Sequence, residues 1–345
     1  MWNCGLDCHE ESIRICLLDP TGKRELEMTV DTETTDLEAL LGPYVKQGLR
    51  VALEASGVSF PIHDRMKALG CEVNVWPPKK LRVIAESKAK CDKNDARWLA
   101  ELLRTGFHPM SVYMPNERER EIRNILTIRK TVVRSRVRIL QSARSLMVKR
   151  GKKLPMKMFH TLKGWKKVCA DATLSETNLF VLSEMHLAWL DLREREISLS
   201  DALDAISDAD ERAHLLKSIP GVGSLTALWM LVGLGDAHRF NNSREISCYL
   251  GIVPSNSSSA KTRRHGHITK EGKPEVRSIW IQAANSYLLS ERSRGQLLKT
   301  WFIQLTKRRG RKIAIVALAR KLMVIAWCLL KENREFRPEK EAVAA

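Results

Sequence analysis

The sequence predicts an α/β N-terminal domain, a long helical arm of coiled-coil character and a mostly α C-terminal domain with a helix-hairpin-helix-like turn. Three observations carry this. Apolar residues alternate in strand fashion over residues 3–30, and helix and strand patterns then alternate to residue 76. From Arg118 to Arg150 there is no Pro or Gly, and apolar residues recur every three or four positions. Beyond residue 210, apolar helical segments flank the turn Pro220-Gly221-Val222-Gly223.

In order, Ile13, Ile15 and Leu17 alternate ahead of a turn at Pro20-Thr21-Gly22-Lys23, which makes residues 3–30 an antiparallel meander. A helix near 36–47, a strand at Arg50–Ala55, a helix near 60–69 and a strand at Glu72–Trp76 follow. A three-stranded meander ahead of α/β alternation is the order of a ribonuclease H-like domain. The arm places Ile122, Ile125, Ile128, Val132, Val133, Val137, Leu140 and Leu146 at helical intervals. Roughly thirty helical residues span about 50 Å, the reach of a coiled coil or an inter-domain link. A second helix over about 174–206, with Leu179, Leu182, Met185, Leu187, Leu190, Leu192 and Ile197, is placed to return as an antiparallel partner. The division expected is therefore 1–110, 111–208 and 209–335, with a flexible tail over 336–345.

The chain has 345 residues, 58 basic against 40 acidic, and a net charge of +18. At 44% hydrophobic it is no disordered chain, and the charge excess calls for a polyanion. A bilayer is not that partner's setting. The most apolar stretch, Ile313–Leu330, carries Arg320 and Lys321 at its centre, and each costs about 2.5–3.5 kcal/mol mid-bilayer. The eight cysteines form no CxxC pair and no zinc-finger spacing, so they read as reduced thiols. With no secretory signal pattern at the start, a cytoplasmic protein is expected.

The charge is concentrated. Residues 118–167 are net +15 and residues 261–345 net +13, whereas 1–117 are net −3 and 168–260 net −7. Arg129, Lys130, Arg134, Arg136 and Arg138 lie in the first basic block, which favours nucleic-acid backbone contact over a merely solvated face.

Four acids fall at strand ends and at a helix start. Asp7 lies in the first strand, Glu54 ends VALEAS, and Asp92 and Asp95 share one face in KCDKNDARWLAELL. Singly, these are surface groups or helix caps. Converging, they would make an oxygen-rich site for Mg²⁺ or Mn²⁺ around a scissile phosphate. In the C-terminal part, Gly221 and Gly223 would let backbone N–H groups approach a phosphate at a helix start, or simply turn the chain. A Ser-rich loop, 255–259, then runs into Lys261, Arg263, Arg264 and Lys270. It reads either as a flexible basic loop or as the bearer of a nucleophilic serine with cations alongside.

GLDCHEESIRICLLDPTGK, VALEASG and KAKCDKNDARWLAELL resemble the three signatures of the DEDD transposases of bacterial insertion sequences, a family that includes the Piv-type invertases. Leu250, Gly251, Pro254, Gly266, Ile268, Thr269, Lys270 and Gly272 are similar, in order, to the pattern of that family's C-terminal transposase domain. The resemblance implies a RuvC-like N-terminal domain with Asp7, Glu54, Asp92 and Asp95 as metal-binding acids. It also implies a serine nucleophile at Ser259, with Ser258 the near alternative and Ser257 within the same run. Ala260 stands where that family has a glycine. Further implications are a homodimer or homotetramer with active sites shared between subunits, double-stranded donor and target DNA, and a noncoding guide RNA. The expected function is insertion-sequence transposition through a covalent serine–DNA link. The alternative is a RuvC-like junction nuclease that uses water.

Overall fold

The structure, a computed structural model, describes residues 1–85, 95–171, 173–259, 262–293 and 297–338. The chain divides into two compact units, Met1–Met114 and Pro115–Ala345.

The first unit is built on a five-stranded sheet. Its strands are β1 (Trp2–Cys8), β2 (Ser12–Leu18), β3 (Arg24–Asp31), β4 (Leu49–Glu54) and β5 (Glu72–Trp76), in the order β3-β2-β1-β4-β5. The first three are an antiparallel meander, and β1–β4 and β4–β5 pair in parallel. Strand alternation divides the side chains between two faces. On one face Cys4, Leu6, Ile13, Ile15, Leu17, Val51 and Leu53 pack with Leu37 and Leu41 of α1 (Leu37–Val45) and Ile62 and Met66 of α2 (Ser59–Ala68). The other face carries Cys16, Leu18, Ala52 and Trp76. It is covered by α4 (Asp95–Thr105) through Ala96, Leu99, Ala100 and Leu103, with Leu81 of α3 (Pro78–Ala85) joining.

Gly5 brings α4 down onto β1. A Cβ at Gly5 would stand 1.8 Å from the carbonyl oxygen of Ala96, so only a bare Cα admits the helix at this depth. At the other end Arg50 Nη2 donates to Asn3 Oδ1 (2.7 Å) and to the Leu103 carbonyl (3.2 Å). The helix therefore runs against the direction of β1, with its N-terminus toward the strand's Asp7 end.

In the second unit, α5 (Glu117–Lys149) and α7 (Glu176–Asp208) are 33-residue helices packed as the expected antiparallel pair. Asn116 and Glu119 form a reciprocal capping box at the start of α5, and Ser175 caps α7. Their tip is closed by a short 3₁₀ turn, Met156–His160, and α6 (Leu162–Cys169), around Leu140, Met147, Phe159, Trp165, Leu182 and Trp189. The buried faces differ from the pattern read in the sequence. On α5 the apolar buried side chains are Ile122, Leu126, Leu140, Ala143 and Met147, whereas Ile128 and Val137 are exposed. On α7 Leu182, Trp189 and Leu203 are buried, whereas Leu187 and Ile197 are exposed. A helix with apolar residues on several sides buries only the side its neighbour covers.

The bases of α5 and α7 share a core with α8 (Glu211–Lys217), α9 (Ser224–Leu234), α10 (Ser243–Tyr249), α11 (Pro274–Leu289), α12 (Leu297–Arg309) and α13 (Arg311–Glu332). The arm's bases and these helices thus fall within one compact unit. Helix α13 covers the apolar stretch weighed against a bilayer. It buries Ala314, Leu318, Leu322, Ile325 and Trp327 in this core, and Lys321 Nζ stacks 4.7 Å from the Trp301 ring centroid. Phe336, expected in a free tail, donates its N–H to Ser218 Oγ (2.9 Å) and packs on the same core.

Two paired strands were not expected. The Ser-rich segment read as a loop is strand β6 (Pro254–Ser259), paired antiparallel with β7 (Thr262–Ile268).

Candidate active site

Asp7 and Glu54 sit at the carboxyl ends of β1 and β4, neighbouring parallel strands that pair through Leu6 and Leu53. Cys4, Leu6 and Cys8 belong to the α1–α2 core, so the pleat assigns Asp7, like Gly5, to the α4 face. Glu54 follows Ala52 onto the same face. Asp95, exposed at the first position of α4, stands at the helix end nearest Asp7. Two strands and one helix thus direct three of the four expected acids to one edge of one face. Asp92 lies outside the described residues, and among the described residues no three His, Cys, Asp or Glu side chains are grouped closely enough to hold a metal ion.

The Asp7 carboxylate is largely covered, with 17% of the side chain exposed. His9 Nε2 lies 3.3 Å from Asp7 Oδ2. The two residues are i, i+2 neighbours, and His9 follows directly where the strand ends at Cys8. Burial, then the Asp7 carboxylate, push the Cys8 thiol up to about 12, so it is a neutral packing group at neutral pH. The carboxylates at this edge offer oxygen donors, the kind a hard divalent ion takes.

In the second unit, Ser259 pairs with Thr262, Ser258 with Arg263 and Ser257 with Arg264 along the β6–β7 hairpin. Lys261 lies outside the described residues. The hairpin's base is held by Arg277 of α11, a buried guanidinium that sequence reasoning missed. Its Nη1 donates to the carbonyls of Leu250 (3.1 Å), Glu271 and Gly272 (3.2 Å), and its Nη2 to that of Lys270 (3.0 Å). The two chain segments touch backbone to backbone there. A Cβ at Gly251 (φ +65°) would meet the Glu271 carbonyl oxygen at 1.8 Å. Lys270 itself holds a left-handed backbone (φ +58°), with its N–H on the Gly251 carbonyl. The only sequence signal for Arg277 was a lone cation in an apolar helix.

Gly221 (φ +81°) turns the chain between α8 and α9 hard against α11, where a Cβ would meet the Tyr287 nitrogen at 2.4 Å. Its lack of a side chain is therefore a packing requirement. Gly223 caps α9 with open space around it and borders a cavity of about 410 Å³ lined by Arg129, Ser200, Asp204, Ser224 and Gln282 among others.

The basic arm is partly neutralised from within. Arg129 Nε donates to Ser200 Oγ (2.8 Å) and its Nη2 lies 3.4 Å from Glu196. Arg136 Nε lies 2.8 Å from the other Glu196 oxygen, and Lys130 pairs with Glu275 of α11. Arg134 and Arg138 are exposed.

Known proteins are similar to this chain in sequence. A DEDD-type transposase model of the IS110 group matches residues 4–150, and a model described as transposase IS116/IS110/IS902 family matches residues 213–298. The transposase for insertion sequence element IS1111A of Coxiella burnetii is 26% identical over 339 residues, covering 96% of this chain and 90% of its own. A probable family 20 transposase of Pseudomonas aeruginosa is 25% identical over 297 residues, covering 84% and 86%. The pilin gene-inverting protein of Moraxella bovis is 27% identical over 137 residues, 39% of this chain and 41% of its own. The protein is a transposase, with the DNA-cleaving recombinase activity that class implies. More particularly, the chain belongs to the IS110/IS116 family of insertion-sequence transposases.

Proposed function

We propose that the chain cuts and rejoins double-stranded donor and target DNA by transesterification, with Asp7, Glu54, Asp92 and Asp95 as the metal-holding acids of a RuvC-like domain and Ser259 or Ser258 as the nucleophile. The observation that carries this reading is the gathering of Asp7, Glu54 and the α4 start at one edge of a sheet ordered β3-β2-β1-β4-β5. A divalent cation held by such carboxylates, Mg²⁺ or Mn²⁺, supplies Lewis-acid polarisation of a phosphate. The serine hydroxyl adds to phosphorus, the bond from phosphorus to the 3′ oxygen breaks, and the hydroxyl proton passes to that oxygen. This leaves a phosphoserine and a free 3′-hydroxyl. Attack by the hydroxyl of another strand reverses the step and restores the serine, so the phosphodiester energy is conserved.

The parts are assigned as 1–110 catalytic, 111–208 arm, 209–335 transposase domain and 336–345 tail. Arg134, Arg138, Arg263, Arg264 and Lys270 are the cations read as phosphate contacts, with Lys261 beside them in sequence. Arg129 and Arg136 also hold the arm together, and Lys130 ties its base to α11. Exposed Ile128, Val137 and Val148 on α5, with Phe180, Leu187 and Ile197 on α7, support assembly with further copies into a dimer or tetramer. The net +15 block supports a noncoding guide RNA as a second polyanionic partner.

The test is a denaturing gel of full-length protein incubated with Mg²⁺ and element-end DNA. Protein bound covalently to a DNA end is expected, lost in Ser259→Ala or Ser258→Ala. Asp7→Asn is expected to slow cleavage at least about 10²-fold with folding retained. Cleavage that persists in Ser257→Ala, Ser258→Ala and Ser259→Ala alike would show water to be the nucleophile, as in a junction nuclease.

A further inference from the structure

The corner between α12 and α13 concentrates charge that nothing within the described protein answers. Lys307, Arg308 and Arg309 end α12, Gly310 turns the chain with φ +81°, and Arg311 and Lys312 begin α13. All six residues are exposed. Among the described residues none of the five cations is ion-paired; Arg311 Nη2 reaches only the side-chain oxygen of Asn285, at 3.2 Å.

The second half of the corner is placed against local physics. Cations suit a helix C-terminus, as in the last turn of α12, but they oppose the positive end of the dipole at a helix start. Helix α13 nonetheless opens with Arg311 and Lys312. It has no acidic residue in its first turn, and its N-cap is a glycine that offers no side-chain hydrogen bond. An anion brought from outside would compensate both the cations and the uncapped N–H groups.

We propose that this corner, Lys307 to Lys312, is a docking surface for the sugar-phosphate backbone of duplex DNA, gripped without regard to sequence. The proposal rests on the DNA recombinase reading and adds to it a contact outside the acids, the serine strand and the basic arm. The chemistry favours backbone over bases. No exposed aromatic side chain lies in the corner, so it offers no stacking platform of the kind single strands use. Gly310 has nothing within 4 Å of its Cβ position, which leaves the turn open to close approach.

The experiment titrates full-length protein into a fluorescent duplex of arbitrary sequence at a series of NaCl concentrations. Divalent cations are absent, so the DNA stays uncut and a failure of the serine chemistry leaves the measurement untouched. The variant R308Q/R309Q/K312Q is expected to bind at least about tenfold more weakly. The loss should be equal on unrelated duplexes, and the slope of log affinity against log salt should be shallower by about 2 to 3. Its Tm should stay level or rise, since a cation leaves the start of α13, and R308K/R309K should keep the parent affinity. Parent-like affinity and salt slope in the Gln variant would overturn the proposal. So would weakened binding to an RNA hairpin with duplex DNA unaffected, or a loss that R308K/R309K shares and that tracks a fall in Tm.

Discussion

Lys273 stands one residue before α11 with its Nζ buried and without a hydrogen-bond partner among the described residues. Burial, then the Arg123 guanidinium, push its ammonium down to about 8, while Glu275 and Glu119 pull the other way. The folded state therefore binds this proton less tightly than the unfolded chain, whose lysine titrates near 10.5. Stability should rise as pH climbs from about 8 to about 10.5, and at pH 7 the charged form costs on the order of 2–3 kcal/mol. Lys273→Met is expected to stabilise the protein at pH 7 by about 1–3 kcal/mol and to flatten that pH dependence, as read by urea unfolding at pH 7 and 9.5. The places of Asp7, Glu54 and Asp95 at strand ends and a helix start were legible in the sequence because these are local features. Lys273 and Arg277 were not, since the groups around them, Arg123 and Glu119 for the one and the Leu250 and Lys270–Gly272 carbonyls for the other, come together only in the folded chain.

The contact of α4 with β1 at Gly5 shows how one missing methyl group sets an element's position. Gly5→Ala places a Cβ 1.8 Å from the Ala96 carbonyl oxygen, so the helix must lift and carry Asp95 with it. A loss of about 1–3 kcal/mol is expected by urea unfolding, together with cleavage slowed well beyond what the stability loss explains. The sheet was legible to within a residue or two because alternation and turn residues agree along residues 3–76. Strand β6 was not. Serine and asparagine are poor strand formers, and PSNSSS pairs because β7 lies alongside and Arg277 fixes both segments at their base. The arm helices were legible in extent and misjudged in facing. Exposed Ile128 and Ile197 satisfy the same spacing as buried Ile122 and Leu203, and only the partner's position separates them.

Across the molecule, charge and core are distributed unequally along the arm. Fully buried side chains stop at Leu126 and resume at Leu140 on α5, and stop at Trp189 and resume at Leu203 on α7. Between them Glu196 takes both Arg129 and Arg136, at 3.4 and 2.8 Å. Raising NaCl from 0.1 to 1 M shortens the screening length from about 10 to about 3 Å. Amide hydrogen exchange over 127–139 and 190–202 is expected to speed up relative to both ends of the arm, which dry cores hold. Two apolar clamps joined by an ionic waist make the hairpin a spring whose stiffness is set by the solvent. The counterions that compete for nucleic-acid phosphate also slacken it, so grip and rigidity would fade together as the medium becomes saltier.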